Sequence, residues 1–203
     1  QTMFSAWNGE AIHLLFQVQQ ASPSPRLRRV LESSSQFLLT RLSTAEGGMW
    51  AYRQQGRAEG LGSLNDNAWG AMAFVAAFRL TGRADFREGL RRTLAYARAA
   101  LLVPGLRVFR RWNVPHPQGL RRGEALSQEV PLGGNGLMAL ALLNAYEISG
   151  EREYDSLARN IIARLLTLEP ELFDEDPADG GKLYLTQFVY YLNSLKRLKL
   201  LDI

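Results

Sequence analysis

Two hydrophobic patterns alternate along the chain. In the first, apolar residues occupy every side of a helix-length segment, as in Leu137-Met138-Ala139-Leu140-Ala141-Leu142-Leu143 and the alanine-rich run from Leu64 to Leu80. A helix apolar all round has to be buried all round. In the second, Tyr154, Leu157, Ile161, Ile162, Leu165 and Leu166 fall at helical spacing with Arg152, Asp155, Arg159 and Arg164 between them. That spacing predicts an amphipathic helix with one wet face.

In chain order these patterns predict three helical hairpins and a last helix. An inner-type helix from about Trp7 to Gln19, carrying Ala11, Ile12, Leu14, Leu15, Phe16 and Val18, is ended by Ser22-Pro23-Ser24-Pro25. Its outer partner runs from about Pro25 to Leu42. The glycine-rich, aromatic stretch Ala45 to Arg53 reads as a short β-hairpin. The second inner helix, about Leu64 to Leu80, is expected to be capped by Asn65 or Asp66, and Thr81-Gly82 turns it into an outer helix from about Asp85 to Leu101. A long connection from Val103 to Val130 leads into Pro131-Leu132-Gly133-Gly134-Asn135-Gly136. There the proline and glycines predict a break and Asn135 a helix cap. The third hairpin joins the Leu137 helix to an outer helix from Glu151 to Leu168, and a last helix is expected over Leu183 to Leu200.

The turn between hairpin arms repeats. Leu80-Thr81-Gly82-Arg83-Ala84-Asp85-Phe86 and Ile148-Ser149-Gly150-Glu151-Arg152-Glu153-Tyr154 lie 68 residues apart, and Ala21 to Leu27 is a looser third copy. Since no single hairpin can cover its own apolar face, repetition predicts an array. The expected fold is all-α: a partial (α/α) toroid of about seven helices, apolar ones inside and amphipathic ones outside, forming a single domain over 1–203.

Composition narrows the chemistry. The chain has 24 Lys plus Arg against 20 Asp plus Glu, a formal net charge of +4 that gives no reason to expect a nucleic-acid partner. Arg107, Arg110, Arg111, Arg121 and Arg122 cluster in the long connection. There is no cysteine, so disulfide and thiolate chemistry are excluded and the compartment stays open; a soluble, cytoplasmic protein is the default expectation. Two histidines, His13 and His116, make no metal motif, and nothing calls for a cofactor. The apolar runs are too short for a membrane span. Gln1-Thr2-Met3-Phe4-Ser5 lacks signal-peptide character and an initiator methionine, so the chain is expected to have been cut.

Candidate chemistry lies in the loops. In a toroid the inner helices run parallel, so their N-termini share one rim with the long connections. That rim would carry Asn8, Asn65, Asp66 and Asn135, with Trp7, Trp50, Tyr52, Trp69, Trp112 and His116 nearby. Aromatic rings beside amides and a carboxylate suit a sugar, and helix starts with loop arginines favour an anion. The plainer alternatives are that Asn8, Asp66 and Asn135 are helix caps, the tryptophans packing residues, His13 a core residue and the arginines a solvated face.

The motifs Ser5-Ala6-Trp7-Asn8-Gly9, Gly47-Gly48-Met49-Trp50 with Tyr52-Arg53, Leu64-Asn65-Asp66-Asn67-Ala68, and Val130-Pro131 through Asn135 followed by Leu142-Leu143 and Ser149-Gly150 occur in an order that resembles the helical part of the YyaL-type proteins. This is the family of spermatogenesis-associated protein 20, in which a thioredoxin-like domain precedes a six-hairpin, glycosidase-like and epimerase-like toroid. The resemblance implies a fold related to carbohydrate-active enzymes. It has departures. The family's Pro-Ser-Gly-Asn-Ser-like stretch stands here as Pro131 to Gly136 without either serine, its Asp-Tyr-Ala as Asp66-Asn67-Ala68, and there is no CxxC motif. About seven helices, where six hairpins make about twelve, imply a fragment or a shortened relative.

Two functions follow. The chain is expected to be a non-catalytic scaffold whose concave face or loop rim binds a protein subunit or the remainder of a longer chain. The alternative is a carbohydrate-processing enzyme, glycosidase-like or sugar epimerase-like. It would have Asp66 as general acid or base, Glu129 or Glu124 as a second carboxylate, His116 or His13 as a further base, and Trp7, Asn8, Trp50, Tyr52, Trp69, Trp112 and Asn135 binding the sugar.

Overall fold

The computed structural model describes residues 2–113 and 130–167, together with Lys196. The expected last helix, Arg121, Arg122, His116, Glu124 and Glu129 lie outside the described residues. The chain divides into two compact units, Gln1–Ala99 and Ala100–Ile203.

The first unit opens with strand β1 (Thr2–Phe4), which runs directly into helix α1 (Ser5–Ala21). Ser24 caps α2 (Pro25–Phe37) by accepting the Leu27 N–H, and Pro25 suits the first helical position. A π-helical turn (Leu38–Leu42) extends α2 and shifts its buried positions from Leu31 and Ser35 to Leu38 and Leu42. The expected hairpin forms slightly later than the sequence pattern placed it. β2 (Trp50–Gln54) and β3 (Arg57–Leu61) are joined by Gln55-Gly56, both at positive φ as a tight hairpin turn requires. β2 pairs antiparallel with both β1 and β3, giving the order β1-β2-β3. Two helices follow, α3 (Leu64–Thr81) and α4 (Ala84–Leu101), the latter burying Phe86, Leu90, Leu94 and Ala97.

α3 is the buried helix that its all-round apolar composition predicts: Ala68 through Ala77 are all inaccessible. α1 packs on it so closely that a Cβ at Gly9 would stand 2.6 Å from the Trp69 carbonyl oxygen. α1 is not itself buried all round. Ile12 and Phe16 face inward, but Leu14 is 49% and Val18 51% exposed. Its apolar content exceeds what the first unit can cover.

The second unit contains a two-stranded sheet of β4 (Leu102–Val103) and β5 (Val108–Phe109), then α5 (Leu132–Ser149) and α6 (Arg152–Leu165), which pack on each other. Here the sequence expectation is corrected. Pro131 precedes the helix, Asn135 is its fourth residue and not its cap, and Gly133, Gly134 and Gly136 are helical. α3 and α5 superimpose in sequence at a constant offset of 68 residues, from Leu64 and Leu132 at their starts to Gly82 and Gly150 beyond their ends. Both glycines adopt left-handed φ, 69° and 74°, and donate to the carbonyl four residues back, as the repeated turn predicts. No described helix is long and apolar enough to cross a membrane.

Candidate functional site

The start of α3 determines the position of Asp66. Ser63, not Asn65 or Asp66, is the cap: its extended backbone lets Oγ accept the Asp66 N–H at 3.4 Å. The Asp66 side chain is thereby released to cross to α1, where Oδ1 accepts the Ala6 N–H at 3.1 Å. Ala6 lies in the first turn of α1, whose N–H groups have no partner within their own helix. Asp66 therefore caps a helix other than its own. It is 6% exposed. Burial pushes its carboxyl up to about 7, against the opposing pull of the Ser63 hydroxyl and the Ala6 N–H. Near neutral pH this group can carry and release a proton.

Three asparagines occupy the fourth position of an inner helix: Asn8 in α1, Asn67 in α3 and Asn135 in α5. Each donates Nδ2 to the carbonyl four residues back, Asn8 to Phe4 at 2.7 Å, Asn67 to Ser63 at 2.7 Å and Asn135 to Pro131 at 2.9 Å. Asn67 Oδ1 also accepts the Met49 N–H at 3.1 Å, just before β2. Asn135 Oδ1 accepts the Phe109 N–H at 2.7 Å, and its Nδ2 returns a bond to the Phe109 carbonyl at 2.9 Å. These amides hold extended backbone against a helix start. Asn135 is fully buried, and both its polar atoms are committed to the protein. Asn67 was not among the sequence-derived site residues, although the 68-residue offset connecting it to Asn135 was visible.

The aromatic residues separate into a buried and an exposed set. Trp69 is only 4% exposed, with its ring 6.1 Å from that of His13, whose pKa burial and then Arg79 lower. Trp7 is 68% exposed and lies against Phe4, ring centroids 4.4 Å apart; Phe4 in turn lies 5.8 Å from Tyr52. The register Phe4↔Tyr52↔Glu59 places these side chains on one face of the sheet, where the Tyr52 hydroxyl donates to Glu59 at 2.7 Å. Phe4 and Glu59 are thus members of the group that sequence reasoning missed; pairing across strands, not any local motif, brings them in. Trp50 is half-buried, and its carbonyl accepts from the Ser5 hydroxyl. Trp112, also half-buried, belongs to the second unit. Among the described residues, no cluster of His, Asp and Glu could hold a metal ion.

No protein-family model and no curated protein sequence matches the chain. Solved structures do. An unsaturated glucuronyl hydrolase specific for heparin is 14% identical with a TM-score of 0.76, the match covering 99% of this chain and 61% of that one. The unsaturated glucuronyl hydrolase of Bacillus sp. GL1, responsible for degradation of glycosaminoglycan, is 18% identical with a TM-score of 0.73, over 97% of this chain and 58% of that one. A GH76 α-mannanase of Bacteroides thetaiotaomicron is 13% identical with a TM-score of 0.69, over 95% and 57%. The chain thus spans less than two thirds of the length of each. At such identities the likeness speaks for the fold alone, and the architecture is that of the six-hairpin, glycosidase-like (α/α) toroids.

Proposed function

We propose that this chain is part of a carbohydrate-processing toroid in which Asp66 is the general acid. The observation that carries this reading is the Asp66 carboxyl itself: buried at the junction of two inner-helix starts and shifted up to about 7. A carboxyl held protonated near neutral pH is the form a general acid needs to deliver a proton to a departing sugar oxygen. The fold's occurrence among glycan hydrolases agrees with that chemistry. Whether the reaction is hydrolysis or epimerisation depends on the second group; Glu129 and His116, which the sequence offers for it, lie outside the described residues. The YyaL-type resemblance fits the same class, and Trp7, Tyr52 and Trp50 remain the proposed contacts for a sugar.

The test is a panel of nitrophenyl glycosides and reducing disaccharides followed by NMR, with wild type beside Asp66→Asn and Glu129→Gln. Turnover reduced at least about 100-fold in Asp66→Asn, with an unchanged circular dichroism spectrum, is expected. Turnover unaffected by Asp66→Asn rejects the assignment. The scaffold reading draws on a different observation, the exposed apolar side of α1.

A further inference from the structure

One face of the β1-β2-β3 sheet is turned to the protein and the other is open. Arg53 marks the first: its Nη1 donates to the Arg41 carbonyl, in the π-helical turn, at 3.5 Å. Strand alternation puts Trp50 and Tyr52 on the opposite face, where pairing adds Phe4 on one side of Tyr52 and Glu59 on the other. Phe4 touches Trp7 at a tilt of 45° and Tyr52 at a tilt of 51°, so these rings make a stepped surface and not a hollow. A hollow would enclose a compact cation, whereas such a surface receives the C–H side of a sugar ring. The start of α1 joins this surface to the buried acid: the Ala6 N–H donates to Asp66, the Ser5 hydroxyl to the Trp50 carbonyl, and Trp7 is the next residue.

The row of side chains ends in a carboxylate. Glu59 is exposed, and its Oε2 accepts the Tyr52 hydroxyl at 2.7 Å, which fixes it beside the rings. An ionised carboxylate only accepts hydrogen bonds, and it has about four sites for them. A ligand on the rings must therefore bring donors, and one that brings a second carboxylate is repelled. Arg57 shares this face in the next row, opposite Gln54, but among the described residues it makes no ion pair with Glu59.

We propose that this open face holds a neutral, hydroxyl-bearing sugar and disfavours uronic acids, with Glu59 as the residue that sets the preference. The inference rests on the reading of Trp7, Trp50 and Tyr52 as sugar contacts and adds the charge class of the substrate. Trp7 supplies the stacking surface, Tyr52 positions the carboxylate, and Glu59 accepts from the sugar hydroxyls.

The probes are mannotriose and the matching trimannuronate, which differ only in the exchange of each hydroxymethyl group for a carboxylate. Each is titrated at low salt into isotopically labelled Asp66→Asn chain, so that binding is read without turnover. Saturable shifts of the Trp7 indole by mannotriose are expected, with a Kd of about 1 mM or tighter, and trimannuronate should bind at least about fivefold more weakly. In a chain that also carries Glu59→Gln that gap should close to within about twofold while mannotriose binding is kept, and added salt should narrow it in the parent chain. Trimannuronate binding as tightly as mannotriose overturns the proposal, as does a gap that Glu59→Gln leaves unchanged. So does the absence of any saturable Trp7 shift up to about 50 mM mannotriose. Trp7 signals that move with protein concentration alone identify a second copy as the occupant and overturn it too. Failure of the general-acid reading looks different: mannotriose binds as expected, but no glycoside is turned over by the wild type.

Discussion

Asn67 and Asn135 do the same work one repeat apart: each sits at the fourth position of a buried helix and ties an extended segment to that helix's first turn. Their two amide groups satisfy backbone atoms that burial would otherwise leave unpaired. The three equivalent positions should therefore differ in cost on truncation. Asn67→Ala and Asn135→Ala are each expected to lose about 2–4 kcal/mol, and Asn8→Ala, with its acceptor open, under about 1 kcal/mol. Urea unfolding monitored by circular dichroism gives the comparison, and three equal losses would contradict it.

Asp66 makes stability depend on pH in the direction opposite to a paired carboxylate. Its folded-state pKa of about 7 lies above the ordinary 3.8. Below about pH 4 both states are protonated and the group is neutral in effect. Between about 4 and 7 the unfolded chain ionises while the folded one stays protonated, so stability falls as pH rises, by up to about 4 kcal/mol, and levels off above 7. Unfolding free energies measured across that range should show the decline in the wild type and not in Asp66→Asn.

Gly9 and Gly82 are glycines for different reasons and should respond differently to alanine. At Gly9 the added Cβ meets the Trp69 backbone at 2.6 Å, where neither helix can yield. Gly9→Ala is expected to cost about 2–3 kcal/mol. At Gly82 the space is open but φ is 69°, and about 1 kcal/mol of backbone strain is expected. Thermal or urea denaturation of the two variants distinguishes them.

The tryptophans can be told apart by solvent access. Trp7 should be quenched by acrylamide, and Trp7→Phe should remove most of the quenchable emission with a stability change under about 1 kcal/mol. Trp69→Phe should leave that component in place and destabilise the chain. A Trp69 emission quenched as readily as that of Trp7 would show the burial to be misassigned.

Much of this was legible in the residues. The all-round apolar composition of the α3 and α5 segments required burial, and the α4 and α6 patterns a wet face; both demands follow from local spacing. The repeated glycine turn was visible because a left-handed helix end selects glycine wherever it occurs. The helix starts were less legible. Asn65, Asp66 and Asn135 are all good caps in isolation, so spacing alone could not tell that Ser63 caps α3 or that α5 begins three residues before Asn135. The second carboxylate expected from the sequence, Glu129, lies outside the described residues.

The sequence by itself determined the alternation of buried and amphipathic helices, their turns and the 68-residue repeat, because each depends on residues within one or two helical turns of one another. Tertiary structure decided what the polar residues at the helix starts do. Asp66 crosses 60 residues of sequence to cap α1, and Asn135 crosses 26 to hold Phe109. Phe4 joins Trp7 and Tyr52 through strand pairing. A side-chain amide or carboxylate can satisfy a local or a distant backbone group with similar energy. Its partner is set only when the helices pack and water is removed from one of the two.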